Sequence, residues 1–158
     1  MFREMRLKNH ELPGSEAVSI LENNTYGVLA LEGDGGYAYA VPVNYAYVGN
    51  KIYFHGAKEG HKIDAMNRNN KVSFCVVEKD TVIPERFDTQ YRSAIAFGRI
   101  RMLEDDKERY AALEALIRKF SPDHMERGKE SIKKEWGVVA SFEIDVEFVT
   151  AKVGAVTQ

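Results

Sequence analysis

The segment 37–47 alternates bulky and small side chains with a period of two residues. That period is typical of a β-strand, whose successive side chains point to opposite faces. Pro42 has no N–H to donate to a neighbouring strand, which predicts a sheet edge or a bulge. One face of the strand would be bulky and the other nearly bare, the two sets being Tyr37, Tyr39, Val41, Val43, Tyr45 and Tyr47 against Ala38, Ala40, Pro42, Asn44 and Ala46.

The bare face of this strand has two interpretations, which are compatible. It is either simply the solvent side of an edge strand, or a surface on which a flat ring lies against the backbone. The two agree because an edge strand has an interrupted hydrogen-bond ladder, where a ligand can take up the backbone groups that no neighbouring strand uses.

Other segments predict further strands and a few helices. Residues 33–36, Gly-Asp-Gly-Gly, predict a hairpin turn rather than a dinucleotide fingerprint, because no helix pattern follows them. Residues 78–88 contain Pro84 and several charges and predict a long loop. Five or six antiparallel strands with flanking helices predict an α+β barrel. The strands are expected at 26–31, 37–47, 52–54, 71–77, 91–103 and after Trp136. The helices are expected at 15–23 (N-capped by Ser15), at 63–69 and at 104–120, and a further polar helical stretch is expected after Ser121-Pro122 up to Lys134.

Composition excludes several classes of protein. At 158 residues the chain is expected to form one domain, residues 1–158. The formal net charge of -2 gives no bulk attraction to nucleic acid or to an anionic membrane, so any anion site must be local. Cys75 is the only cysteine, and no stretch approaches the roughly 20 apolar residues of a membrane span. A cytoplasmic protein with a buried, inert thiol is therefore expected.

Residues 53–62 combine a strand, a glycine-containing turn and the start of a helix. Gly56 and Gly60 would let backbone N–H groups approach an anion, and Lys62 would add a positive charge beside the helix N-terminus. His55, Lys58 and His61 lie around the same bend. The alternative is a plain strand-to-helix turn with solvated charges, and the spacing alone leaves both open. The G-x-x-x-x-G-K-S/T phosphate loop is absent.

Three blocks of the chain resemble a known family. YAVPVNY (39–45), IYFHGAKEGHK (52–62) and QYRSAIAFG (90–98) are similar, in this order, to the signature blocks of the pyridoxamine 5'-phosphate oxidase-related FMN-binding split barrels, in the nitroimidazole-reductase branch. The likeness runs over residues 3–151. It implies an antiparallel split β-barrel and a homodimer with FMN at the subunit interface.

The resemblance also implies a set of site residues. Residues 40–44 would line the isoalloxazine ring, His61 and Lys62 would hold the phosphate, and Ser93 would lie beside the flavin. His55 would be the catalytic residue next to the ring, although a half-buried structural histidine remains an equal reading. The implied cofactor-binding residues are Ala40, Val41, Pro42, Val43, Asn44, His55, Gly56, Ala57, Lys58, His61, Lys62 and Ser93.

The expected function is that of a flavin-dependent reductase. FMN would take electrons from NAD(P)H or another donor and pass them to a small electron-poor acceptor such as a nitroaromatic. The C-terminal residues 149–158 lack the arginine- and histidine-bearing segment with which the true oxidases grip pyridoxal phosphate, so vitamin B6 oxidation is not expected. The alternatives are a non-catalytic flavin-binding module or sensor, and a haem-binding barrel with a histidine ligand. No metal motif or nucleophile–base arrangement is recognisable.

Overall fold

The structure is a computed structural model that describes residues 2–154. Its architecture is α+β with an antiparallel sheet, which confirms the predicted fold class. The elements in chain order are β1 (Glu11–Leu12), α1 (Gly14–Asn23), β2 (Tyr26–Glu32), β3 (Ala38–Asn44), β4 (Ala46–Val48), β5 (Lys51–Gly56), α2 (His61–Arg68), β6 (Lys71–Ile83), β7 (Asp88–Met102), α3 (Asp106–Phe120), α4 (Met125–Glu135) and β8 (Ala140–Val153). The C-terminal tail considered above falls partly on residues 155–158, which lie outside the described residues.

Within residues 2–154, eight strands form one sheet that curls into a barrel without closing. The strand order is β3-β2-β6-β7-β8-β5-β4, with β1 on β8, and every pair is antiparallel. The two edge strands, β3 and β4, follow each other in the chain and are joined by Tyr45 alone. The gap of the split barrel is therefore bridged by the covalent chain rather than by a hydrogen-bond ladder.

Tyr45 explains why the predicted strand over 37–47 is two strands. Its side chain is fully buried, its hydroxyl donates to the Leu21 carbonyl at 2.6 Å, and its ring lies edge-on to Phe74 at 4.9 Å. Burial raises the pKa of the Tyr45 hydroxyl. Because this ring turns into the core, the chain leaves β3 here. The predicted edge position of the Pro42 segment is confirmed.

The inner face of the sheet holds the main core, which includes Leu29, Ile52, Phe54, Phe74 and Phe142. The outer faces of β5 and β8 are covered by α3, with α4 packed beside it in a second cluster. That cover buries Ser141 and Glu143 of β8, although both side chains are polar.

Two local predictions are wrong. Residues 78–88 are not one long loop: residues 78–83 extend β6 and pair with the start of β7 as an arm, after a register shift between Val77 and Lys79, and the short 3₁₀ turn Pro84–Arg86 with Phe87 joins the two strands. Helix α1 begins at Gly14 with Pro13 at its N-cap, so Ser15 is not the cap. Hydrophobic periodicity does not reveal this arm, because residues 79–82 of β6 are exposed on both faces. In residues 2–154 no helix is both long and apolar enough to cross a membrane.

Candidate functional site

The turn between β5 and α2 exposes backbone N–H groups. Gly60 adopts a φ of 124°, a backbone conformation that side-chain-bearing residues rarely adopt. Its carbonyl accepts from the N–H groups of Ile63 and Asp64 at 2.9 and 3.1 Å. The N–H groups of His61 and Lys62 come before that first helical bond and have no acceptor within the helix. They lie at the positive end of the α2 dipole.

The Lys62 side chain folds back over the end of β5. A Cβ atom at Gly56 would lie 3.3 Å from both Cε and Nζ of Lys62, so the amine lies in space that the missing side chain leaves open. The same amine is 6.0 Å from the centroid of the Phe142 ring. Among the described residues Lys62 has no carboxylate within salt-bridge distance. Its charge is thus available to an anion.

His61 connects this turn to the edge strand. Its imidazole stacks on the Tyr39 ring with centroids 4.0 Å apart, and its Nε2 lies 3.6 Å from an Asp34 carboxylate oxygen. Arg68 pairs with the same carboxylate at 2.8 Å. Because Arg68 already neutralises Asp34, an anion at the start of α2 meets less repulsion than the sequence would suggest.

The outer side of β3 is bare, as the alternation predicted. Ala40, Pro42 and Asn44 are exposed, while Val41 and Val43 turn toward the core. Only the backbone of those two valines can therefore contribute to a site on this side. The Asn44 amide donates to the Thr25 carbonyl at 3.0 Å, which fixes its orientation.

Lys58 lies in the same turn but has a different partner. Its amine donates to the Gly137 carbonyl at 2.5 Å, which ties the turn to the segment between α4 and β8. Ala57 beside it is exposed. Of the two lysines predicted to bind the cofactor, Lys62 is therefore the one whose amine is more available to an anion, given the contacts of the described residues.

Ser93 lies apart from this group within one chain. It is on β7, opposite Val77 of β6 and Lys152 of β8. Strands β2 and β6 separate β7 from β3, a lateral distance of roughly 14 Å at three strand spacings. Ser93 does share the outer sheet face with Pro42, since Pro42, Val28, Cys75 and Ile95 lie side by side across four strands. Cys75 on this face is half-buried rather than buried, and burial raises its pKa.

His55 is exposed near the end of β5, opposite Ser141. It borders a cavity of about 380 Å³ between α3 and α4. Sequence reasoning missed this cavity, because Leu113 and Leu116 have the spacing of ordinary core residues. No local sequence signal distinguishes a helix face that lines a cavity from one that fills a core.

A buried ion cluster was also missed. Glu143, only 4% exposed, accepts from Lys51 at 2.8 Å and from Arg101 at 3.0 Å beneath α3. Hydrogen bonding to Glu143 raises the pKa of Lys51, and burial raises that of Tyr53. Arg101 also pairs with Glu108 of α3 at 2.8 Å, so the cluster connects α3 with Lys51 on the strand that carries His55.

Comparison with known proteins gives a family match. The family model for pyridoxamine 5'-phosphate oxidase matches residues 13–153. Among curated proteins, no sequence matches.

Solved structures share the fold. A protein of Bacteroides thetaiotaomicron provisionally assigned to 5-nitroimidazole antibiotic resistance is 23% identical, with a TM-score of 0.76 over 91% of this chain and 86% of that one. An FAD-binding protein of Mesorhizobium loti is 26% identical, with a TM-score of 0.64 over 92% and 96%. The flavocytochrome Anf3 of Azotobacter vinelandii is 18% identical, with a TM-score of 0.81 over 96% and 72%.

Proposed function

Because the chain belongs to the pyridoxamine 5'-phosphate oxidase family, we propose that it binds FMN and acts as a flavin-dependent reductase of a small electron-poor acceptor. The observation that carries the proposal is the Lys62 amine, which lies in the space left by Gly56 beside the N-terminus of α2.

The residues at this turn fit a phosphate dianion. The amine of Lys62, the imidazole of His61 and two N–H groups without helical acceptors are the donors around the turn. Each charge-assisted hydrogen bond contributes about 1.5–3 kcal/mol. Three of them suffice for an anchor, and the glycine at position 60 keeps the turn in the conformation that presents them.

The bare side of β3 suits a flat ring. Ala40 and Pro42 present little side chain, so a ring can approach the backbone of residues 40–44. Bound FMN would supply the redox chemistry, taking electrons from a reduced donor such as NAD(P)H and delivering them to the acceptor. The protein's part is to hold the ring, exclude water from one side of it and offer the exposed His55 to the ring or the acceptor.

We further propose a homodimer that uses the outer sheet face next to β3. Tyr26, Val77 and Ile95 are exposed by 56%, 48% and 38% on this face, which is continuous with Pro42. A contiguous exposed apolar surface is typical of an interaction site. Pairing two such faces would put Ser93 of each chain close to the bare strand of the other.

The known properties of the structural relatives support a flavin site. One relative is an FAD-binding protein and another a flavocytochrome, and the nitroimidazole-resistance relative favours an electron-poor acceptor. An absorption spectrum of the purified protein after reconstitution distinguishes the possibilities. Flavin bands support the proposal, whereas a Soret band alone would favour a haem protein.

The decisive binding experiment compares FMN with riboflavin, which lacks the phosphate. Lys62→Ala should weaken FMN binding by about tenfold or more while leaving riboflavin binding nearly unchanged. Lys107→Ala, which removes an exposed lysine at the start of α3, is the control and should change neither affinity. If Lys62→Ala leaves the ratio of the two affinities as it was, the phosphate assignment is wrong.

Activity is tested separately from binding. Anaerobic NADH or NADPH with a nitroimidazole should give turnover by the FMN-loaded protein. His55→Ala should retain FMN and change the rate of acceptor reduction. FMN binding without any turnover would instead favour a flavin-binding module, and identical kinetics in the variant would make His55 structural.

The dimer is tested by sedimentation. Ile95→Glu places a charge at the centre of the proposed interface and should yield monomers. Val48→Glu puts the same charge on an exposed valine of β4 and should leave the dimer intact. A wild-type monomer at micromolar concentration would contradict the interface.

A further inference from the structure

The cavity beside His55 has an apolar floor and a charged rim. Leu113 and Leu116 of α3 and Ile132 of α4 form the floor with Val139. At about 380 Å³ it falls in the range of small-molecule sites. Its walls come from two helices and the end of a strand, so it is a preformed site rather than a depression between surface loops.

Packing at both ends of α4 holds the cavity open. A Cβ atom at Gly128 would lie 2.5 Å from Cγ2 of Ile117, so glycine lets α4 touch α3 closely at this one level. At the other end, Arg109 stacks on the Trp136 ring at 4.0 Å and donates to the carbonyls of Trp136 and Val139 at 2.9 and 3.3 Å. The two helices are therefore fixed relative to each other at either side of the cavity.

The rim carries opposite charges at opposite ends. His124 and Arg127 lie at the N-terminus of α4, where the helix dipole is also positive. Glu135 lies eight residues after Arg127, about 12 Å away along the helix. In the described part of the chain neither Arg127 nor Glu135 has an ion-pair partner.

His55 lies at the Glu135 end. It pairs with Ser141, which follows closely after α4, and the neighbouring Lys58 bonds to Gly137. A molecule in the cavity would thus have one end at the cationic rim and the other toward His55, the residue next to the proposed flavin site.

We propose that this cavity binds the electron acceptor, and that the acceptor is a small aromatic molecule with an anionic group. The anionic group meets Arg127 and His124, the ring lies on the leucine and isoleucine floor, and the reducible end faces His55. The identity of the ligand as the acceptor rests on the proposed function, whereas the binding site itself does not.

Binding of 4-nitrobenzoate to flavin-free protein, measured by calorimetry, tests the site independently of the flavin. Ser131→Phe adds a ring to the cavity lining and should weaken 4-nitrobenzoate binding by about tenfold or more. Glu130→Phe adds the same ring to an exposed position of α4 that does not border the cavity, and should change the affinity little. Thermal unfolding of both variants shows whether they remain folded.

Arg127→Gln tests the cationic end without adding bulk. It should weaken 4-nitrobenzoate about fivefold and leave uncharged nitrobenzene unaffected, since only the former has a carboxylate. Equal affinity of wild type and both cavity variants for 4-nitrobenzoate would overturn the proposal, as would absence of binding.

The two proposals fail differently. If the protein binds 4-nitrobenzoate in the cavity but takes up no flavin, the cavity stands and the reductase function is wrong. If FMN binds and nitroaromatics are reduced with a KM that Ser131→Phe and Arg127→Gln leave unchanged, the acceptor binds elsewhere and the cavity assignment is wrong.

Discussion

Gly56→Ala tests whether the position of the Lys62 amine matters for FMN binding, because it displaces the amine without removing it. The added Cβ would lie 3.3 Å from Cε and Nζ of Lys62 and 3.6 Å from Cε2 of Phe142. The phenylalanine contact is of ordinary length, but the two lysine contacts are too close. Because they involve the end of a flexible side chain, the amine moves and the strand stays.

The structure sets the expected magnitudes. Gly56 has no positive φ, so alanine fits its backbone and restricts the unfolded chain, a gain of about 0.4–1 kcal/mol. Crowding against Lys62 offsets part of this gain, and the free energy of unfolding should change by less than about 1 kcal/mol. Loss of one charge-assisted bond to the phosphate costs about 1.5–3 kcal/mol, which is roughly 10- to 150-fold in FMN affinity.

Flavin fluorescence titration gives the affinities, and urea denaturation gives the stability. Gly14→Ala is the matched control: no atom lies within 4 Å of its added Cβ, and FMN binding should not change. The double variant Gly56→Ala/Lys62→Ala should bind FMN no worse than Lys62→Ala, since both act through one amine. Wild-type affinity of Gly56→Ala, or additive losses in the double variant, would refute the reasoning.

Two further predictions concern stability. Gly98→Ala should lower the free energy of unfolding in urea by about 1–3 kcal/mol, because its Cβ would lie 2.2 Å from the Asp145 carbonyl oxygen at the β7–β8 register shift. An unchanged urea midpoint would show that β7 and β8 can move apart at this point without a cost in stability. Tyr45→Phe removes the bond to Leu21 and should cost about 1 kcal/mol at pH 7. Since burial raises the pKa of Tyr45, the contribution of Tyr45 to the free energy of unfolding is complete below about pH 10 and is lost as the pH rises above that value. The variant should therefore lose less stability than wild type between about pH 10 and 12. Parallel plots of stability against pH for the two proteins would contradict this. Lys119, whose amine lies 4.2 Å from the Tyr45 ring centroid and whose pKa burial lowers, is present in both proteins and contributes with the opposite sign.

Periodicity predicted most of the elements. A two-residue period located β3 and β8, and the acidic start and apolar stripe of residues 104–120 located α3. The N-cap Asp105 of α3 accepts from the N–H groups of Lys107 and Glu108. Periodicity failed for residues 78–83 and 88–90, which pair as strands. Residues 79–82 are exposed on both faces, and residues 88–90 are exposed or half-buried. Such strands carry no hydrophobic alternation to detect.

The candidate site was predictable only where its parts are local in sequence. Residues 53–62 are a strand, a turn and a helix start in succession, so their grouping follows from chain connectivity. Ser93 and the α3–α4 cavity are brought into relation with that segment only by sheet order and helix packing, which depend on contacts between residues far apart in the chain.

By itself the sequence determined the antiparallel α+β class, the edge position of the Pro42 strand and the strand–turn–helix order of residues 53–62, because each depends on side-chain period, a missing N–H or neighbouring residues. The tertiary structure alone decided that Tyr45 breaks the long strand and bridges the two sheet edges, and that α3 buries Glu143 against Lys51 and Arg101. Among the described residues, it also decided that the amine of Lys58 donates to a backbone carbonyl while the amine of Lys62 lies beside Gly56 without a carboxylate partner. Which partner a side chain finds depends on what the fold packs against it, and no local pattern encodes that.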